Sequence, residues 1–136
     1  MIPARTATTT DMSKRILIVD DDDAVREIVQ YSLEAAAGWE VLMAASGRSG
    51  LAVARTQKPD AILLDVMMPE MDGLETLRQL QGDRLTRRIP TILLTAKARI
   101  GDRQQWEELG IIGTISKPFE ALSLVAQMRS LLNWNE

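Results

Sequence analysis

The 136-residue chain reads as an α/β domain in which five parallel strands form one sheet with helices on both faces. Three observations carry that reading. From Lys14 onward, short aliphatic or β-branched runs alternate with longer amphipathic stretches, the pattern of successive βα units. The short runs are mostly too continuously apolar for a sheet with one wet face, so both faces need a cover. Helix-capping residues fall between the runs where such units require them.

The first unit is a strand at Arg15-Val19 and a helix at Ala24-Ala37, which Gly38 can end in a left-handed conformation. Glu40-Ala44 and Arg48-Gln57 make the second, with Ser46 as cap and Lys58-Pro59 as the way out. Ala61-Leu64 and Gly73-Leu80 make the third, and Asp72 followed by Glu75 has the spacing of a capping box. The fourth unit is Thr91-Leu94 and Ala98-Leu109. In the fifth, Ile112-Ser116 precedes a helix at Phe119-Leu132, and Pro118 suits its start. Residues 1–13 lack an apolar period and read as a flexible leader, 14–132 as the domain and 133–136 as a polar tail. Leu122, Leu124, Met128, Leu131 and Leu132 read mostly as core. Val125 and Trp106 are candidates for a partner-facing surface, with packing the preferred reading for Trp106.

Composition removes several kinds of chemistry. There is no cysteine and no histidine, which excludes disulfides, thiolate nucleophiles, imidazole bases and the usual zinc sites. A net charge of -3 provides no basic footprint, so direct nucleic-acid binding is not expected. No apolar stretch approaches the ~20 residues of a membrane span, and Met1 to Met12 lacks the apolar core of a signal peptide, which makes the cytoplasm the expected location.

What remains is carboxylate, hydroxyl and ammonium. Asp20 and Asp21 follow the first strand, Asp65 the third, Thr95 the fourth and Lys117 the fifth. Strand carboxyl ends in an open parallel sheet converge on the crevice where ligands bind. Two like charges ~4 Å apart repel by about 1 kcal/mol in water and about 4 kcal/mol at an effective dielectric of ~20, so three carboxylates on one rim favour protonation or a bound cation. Asp22 and Asp23 read instead as helix-start residues. Gly47, Gly50 and Gly73 lack phosphate-loop spacing and read as ordinary residues at helix starts.

The blocks Val19-Asp20-Asp21, Leu64-Asp65-Val66-Met67-Met68-Pro69, Met71-Asp72-Gly73, Leu94-Thr95-Ala96-Lys97 and Ser116-Lys117-Pro118-Phe119 resemble the signatures of bacterial response-regulator receiver domains, the CheY-like family. The likeness runs from about Lys14 to Leu132. It implies a doubly wound, flavodoxin-like fold with strand order 2-1-3-4-5, an order commonly illustrated with the chemotaxis protein CheY itself. It implies that Asp65 accepts a phosphoryl group from a histidine kinase or a histidine phosphotransfer protein. Mg²⁺ would be held by Asp20, Asp21, Asp65 and the backbone carbonyl of Met67, with Thr95 and Lys117 binding phosphoryl oxygens. On this reading the protein is a switch that assists its own phosphorylation and dephosphorylation rather than an enzyme acting on other substrates. Its output goes to an unidentified effector protein, and a homodimer is an open possibility.

Thr95 and Lys117, at about 1.5–3 kcal/mol for each charge-assisted bond, supply roughly 3–6 kcal/mol, against about 5.5 kcal/mol for a shift from 1:99 to 99:1. Two departures from the family pattern stand out. Thr114 occupies the position, three residues before Lys117, where many receivers carry an aromatic ring that reorients, so the output is expected to run through backbone movement after Thr95 and the Ala96-Ile100 loop. Met67 and Lys97 occupy positions that tune hydrolysis of the acyl phosphate; methionine cannot orient a water, which predicts a longer-lived phosphorylated state than an asparagine would allow. A stand-alone receiver is the first expectation and a module from a longer regulator or hybrid kinase the second. An interaction domain that is never phosphorylated, or a Mg²⁺-dependent aspartyl-phosphate hydrolase, is the alternative in kind. Such hydrolases usually carry an Asp-x-Asp pair, and Met67 stands at the second acidic position.

Overall fold

A computed structural model describes residues 14–96 and 100–134, with the backbone alone at 100–103. The expected leader, Lys97 and the expected helix start at Ala98 lie outside the described residues. The elements are β1 (Arg15–Val19), α1 (Asp23–Ala37), β2 (Glu40–Ala44), α2 (Gly47–Gln57), β3 (Ala61–Asp65), α3 (Gly73–Gly82), β4 (Thr91–Thr95), α4 (Ile100–Glu108), β5 (Gly113–Ser116) and α5 (Ala121–Leu132). All strand pairs are parallel, in the order β2-β1-β3-β4-β5. This is the doubly wound sheet expected.

Side chains alternate between faces along a strand, and here each face has its own core. Ile16 and Ile18 of β1, Leu63 of β3 and Ile92 and Leu94 of β4 pack with Val29 and Leu33 of α1 and Leu124 and Met128 of α5. Leu17, Val19, Ile62, Leu64 and Leu93 point the other way, against Ala54 of α2, Leu77 and Leu80 of α3 and Trp106 of α4. Val125 and Trp106 are both buried in the core, the packing role preferred for Trp106.

Local chemistry sets most helix starts. The Asp22 carboxylate accepts from the N–H groups of Ala24 and Val25, the Ser46 hydroxyl from Ser49 N–H and the Asp72 carboxylate from Glu75 N–H. Each such cap contributes typically ~1 kcal/mol. Asp23 opens α1, so both residues have the helix-start role read for them. Gly38 ends α1 at φ 69°, in the left-handed region.

The structure corrects several boundaries. β3 and β4 each run one residue further, to Asp65 and Thr95, because the ladder continues: Val66 N–H donates to Leu94 O at 3.2 Å, and Thr95 lies opposite Ser116. α3 extends two residues beyond Leu80. α5 begins at Ala121 after an extended Glu120, and Pro118 sits before it in a cis peptide with Lys117 rather than in its first turn. Leu122 is 96% exposed and is not core. Trp134, expected in the tail, is folded onto the domain: its ring meets Trp39 edge-on at 5.3 Å, and the Lys14 ammonium lies 4.8 Å from its centre.

Candidate functional site

The carboxyl ends of β1, β3, β4 and β5 bring the predicted residues to one rim. Asp20 follows β1 and is 0% exposed; Asp65 ends β3 and is 4% exposed. Asp21 is exposed beside them, and one carboxylate oxygen from each of Asp20, Asp21 and Asp65 lies within 4.8 Å of the others. Lys117, just past β5, spans the two buried acids: its Nζ is 2.8 Å from Asp20 Oδ2 and 3.2 Å from Asp65 Oδ1. Thr95, buried at the end of β4, completes the group, and its carbonyl accepts from Lys117 N–H at 2.9 Å. All five side chains predicted from sequence therefore share one end of the sheet.

Backbone bonds hold these groups in place. Asp20 N–H donates to Ala44 O of the neighbouring strand at 3.1 Å, and Asp20 Oδ1 accepts from Asp22 N–H at 2.9 Å, which leaves Oδ2 for Lys117. Arg26, one turn into α1, donates from Nη1 to Asp20 O at 2.7 Å.

The electrostatics are unbalanced. Burial pushes the Asp65 carboxyl above its ordinary value of 3.8, and the charge of Asp20 pushes the same way; the Lys117 ammonium and the Met67 N–H pull it back only in part. Burial alone would lower Lys117, but bonds and charge from Asp20 and Asp65 hold it above 10.5. One ammonium thus serves two buried carboxylates, and a third carboxylate is near. Oxygen donors without nitrogen or sulfur fit a hard divalent cation such as Mg²⁺. The carboxylates of Asp20, Asp21 and Asp65 have the spacing and donor chemistry to hold one.

Sequence reasoning missed Gly73 as a positioning residue. A Cβ there would stand 2.4 Å from Asp65 O and 2.7 Å from Val66 Cα, both backbone atoms. Only glycine lets α3 close on the strand that presents Asp65, and Gly73 N–H donates to Val66 O at 2.9 Å to seal that approach. The Met71-Asp72-Gly73 motif carried the signal, but the partner atom eight residues upstream is visible only in three dimensions. Arg26 gave no sequence signal. Beside Lys117, a cavity of about 330 Å³ is walled by Val25, Ile28, Ala96, Pro118 and Phe119.

A doubly wound parallel sheet with an acidic crevice at the carboxyl ends of its strands defines a flavodoxin-like signalling or ligand-binding domain. Comparison narrows the class. Residues 16–129 match the response regulator receiver domain, and the chain belongs to that family. It is 38% identical over 125 residues to the alkaline phosphatase synthesis transcriptional regulatory protein PhoP of Bacillus subtilis, covering 92% of this chain and 51% of that protein. The chain thus spans about half the length of that curated relative. Among solved structures, chemotaxis protein CheY4 of Vibrio cholerae superposes with a TM-score of 0.82 at 31% identity, covering 88% of this chain and 98% of that one. The receiver domain of a Pseudomonas aeruginosa sensor histidine kinase superposes at 0.76 with 31% identity, covering 90% and 97%, and that structure has a magnesium ion coordinated in its active site cleft.

Proposed function

We propose that residues 14–132 form a two-component receiver that takes a phosphoryl group on Asp65 and thereby shifts a conformational equilibrium read by a partner protein. The observation that carries this reading is the Lys117 ammonium shared between Asp20 and Asp65 inside an all-oxygen cluster. A carboxylate placed there is a nucleophile at the rim beside a cation able to meet the incoming group.

In the transfer, an Asp65 oxygen attacks phosphorus, an O–P bond forms, and the N–P bond of the donor phosphohistidine breaks with its electron pair left on the imidazole nitrogen. Lys117 then binds a phosphoryl oxygen as a compact point charge and Thr95 donates its hydroxyl to another. Asp20, Asp21, Asp65 and the Met67 carbonyl would hold Mg²⁺, which when bound screens the negative charges that must approach one another. Phosphorylation adds about 1.5–2 negative charges and three strong acceptors at this rim. Loss of the group by attack of water resets the switch, and Met67, 77% exposed, offers that water no polar side-chain atom comparable to an amide.

The donor is a histidine kinase or phosphotransfer protein, and the apolar cavity beside Lys117 suits a seated donor surface. We place the reaction in the cytoplasm; no helix among the described residues is long and apolar enough to cross a membrane. The receiver surface has a net charge that does not suit DNA, yet relatives of about twice this length are named as transcriptional regulators. An output at DNA through a further region is the second reading of the pathway. The test of the input is incubation with acetyl phosphate and Mg²⁺ followed by intact-mass measurement: one phosphoryl group gained by the wild type and none by Asp65→Asn supports the assignment, and no gain by the wild type overturns it.

A further inference from the structure

Resting on that reading, the switch needs a side chain that carries the state of Asp65 away from the rim, and Thr114 is not aromatic. Trp106 of α4 has the properties required. It is 2% exposed, and its indole N–H has no hydrogen-bond partner among the described residues. Buried tryptophans usually find one. The same residue lines two cavities. One, about 540 Å³, is formed with Val66, Met67, Met68 and Asp72, in the segment that follows Asp65. The other, about 220 Å³, is formed with Glu107, Ile112, Gly113 and Thr114, at β5.

Close-packed interiors hold side chains in place because neighbours fill the space around them. A core indole that borders open volume at two places, with no hydrogen bond to anchor it, can change rotamer without breaking a polar contact. α4 is the next element in the chain after β4, which Thr95 ends, so a displacement of Thr95 toward a phosphoryl group bears on the helix that carries this ring.

We propose that phosphorylation of Asp65 moves the Trp106 indole away from the Val66-Met68 cavity and into the cavity at Thr114, where the indole N–H donates a hydrogen bond to the threonine hydroxyl oxygen. Trp106 is then the positioning residue that connects the acid cluster to the α4–β5 surface. The short side chain of Thr114 is what leaves room for it.

The test uses the full chain labelled with 5-fluorotryptophan, whose three tryptophan resonances are assigned by single Trp→Phe substitutions. Acetyl phosphate and Mg²⁺ are added, with intact mass followed in parallel. The Trp106 resonance should move by more than its linewidth while those of Trp39 and Trp134 hold. Thr114→Phe, which fills the receiving cavity, should still gain the phosphoryl group but leave Trp106 where it was. Thr114→Val, which keeps the size and removes the hydroxyl, should reduce the displacement and serves if the larger residue prevents folding. A phosphoryl gain with a stationary Trp106, or an undiminished shift in both Thr114 variants, overturns the proposal while the phosphoacceptor assignment stands. No added mass overturns that assignment and this proposal together.

Discussion

The two ends of the sheet are built on opposite principles. At the amino-terminal end, basic groups meet mostly uncharged partners: Arg15 donates through Nη1 and Nη2 to the Gln57 carbonyl and side chain at 2.8 and 2.9 Å, its N–H meets Asp60 at 2.8 Å, and Arg129 and Lys14 lie over the Trp39 and Trp134 rings, with the buried Nε atoms of Arg15 and Arg129 making no hydrogen bond among the described residues. At the carboxyl-terminal end, two buried acids share one ammonium and a third acid stands nearby. The carboxyl-terminal end holds like charges together at a cost, which a bound cation would relieve.

The sharpest way to break the contrast is to neutralise the reactive end. Asp65→Asn should abolish phosphoryl gain entirely by intact mass, and it should raise the unfolding free energy of the metal-free protein by about 1–2 kcal/mol in urea titrations, since it removes the burial of a charged carboxylate and, second, its repulsion with Asp20. At the other end, Trp39→Ala should cost about 3–5 kcal/mol of stability, yet the folded fraction should still take up a phosphoryl group. Gly73→Ala lies between the two: its Cβ would collide with the Asp65 backbone, so we expect a loss of about 1–3 kcal/mol, as for other overpacked sites, together with slower phosphorylation, measured on one sample by urea titration and mass kinetics.

A pH titration sharpens the comparison further. Because the folded state raises the Asp65 pKa above 3.8, the native chain binds more protons than the unfolded one between that value and the raised one. Its contribution to stability is present below 3.8 and lost as pH rises through the folded value. In chelator, the stability advantage of Asp65→Asn over wild type should grow across that window and then level off. Lys117 behaves as the complement: its contribution is present below 10.5 and is lost as pH rises through its raised value. The smallest effect is kinetic. Met67→Asn should shorten the lifetime of the phosphorylated state, followed by mass after donor removal, with little change in stability.

Much of this arrangement was legible in the residues because its causes are local. The βα rhythm, the caps at Asp22, Ser46 and Asp72 and the acids that follow apolar runs are properties of neighbouring positions. What escaped was set by distant contacts or by helix phase. Leu122 is two residues before buried Leu124, and at 100° per residue that is about 200° around the helix, onto the solvent side. Trp134 reads as a tail residue until Trp39 is known to lie beneath it. Gly73 reads as an ordinary helix start until the Asp65 carbonyl is found against its Cα.

The burial of the Lys117 contacts has a consequence for how the domain senses its surroundings. With Asp20 and Asp65 side chains at 1% and 6% exposure, their contacts with Lys117 are screened less by salt than contacts at the surface. Background monovalent salt should therefore weaken the Lys117 contacts less than it weakens an exposed pair such as Arg78–Glu75, while Asp21, exposed at the same rim, leaves the cluster open to a divalent ion.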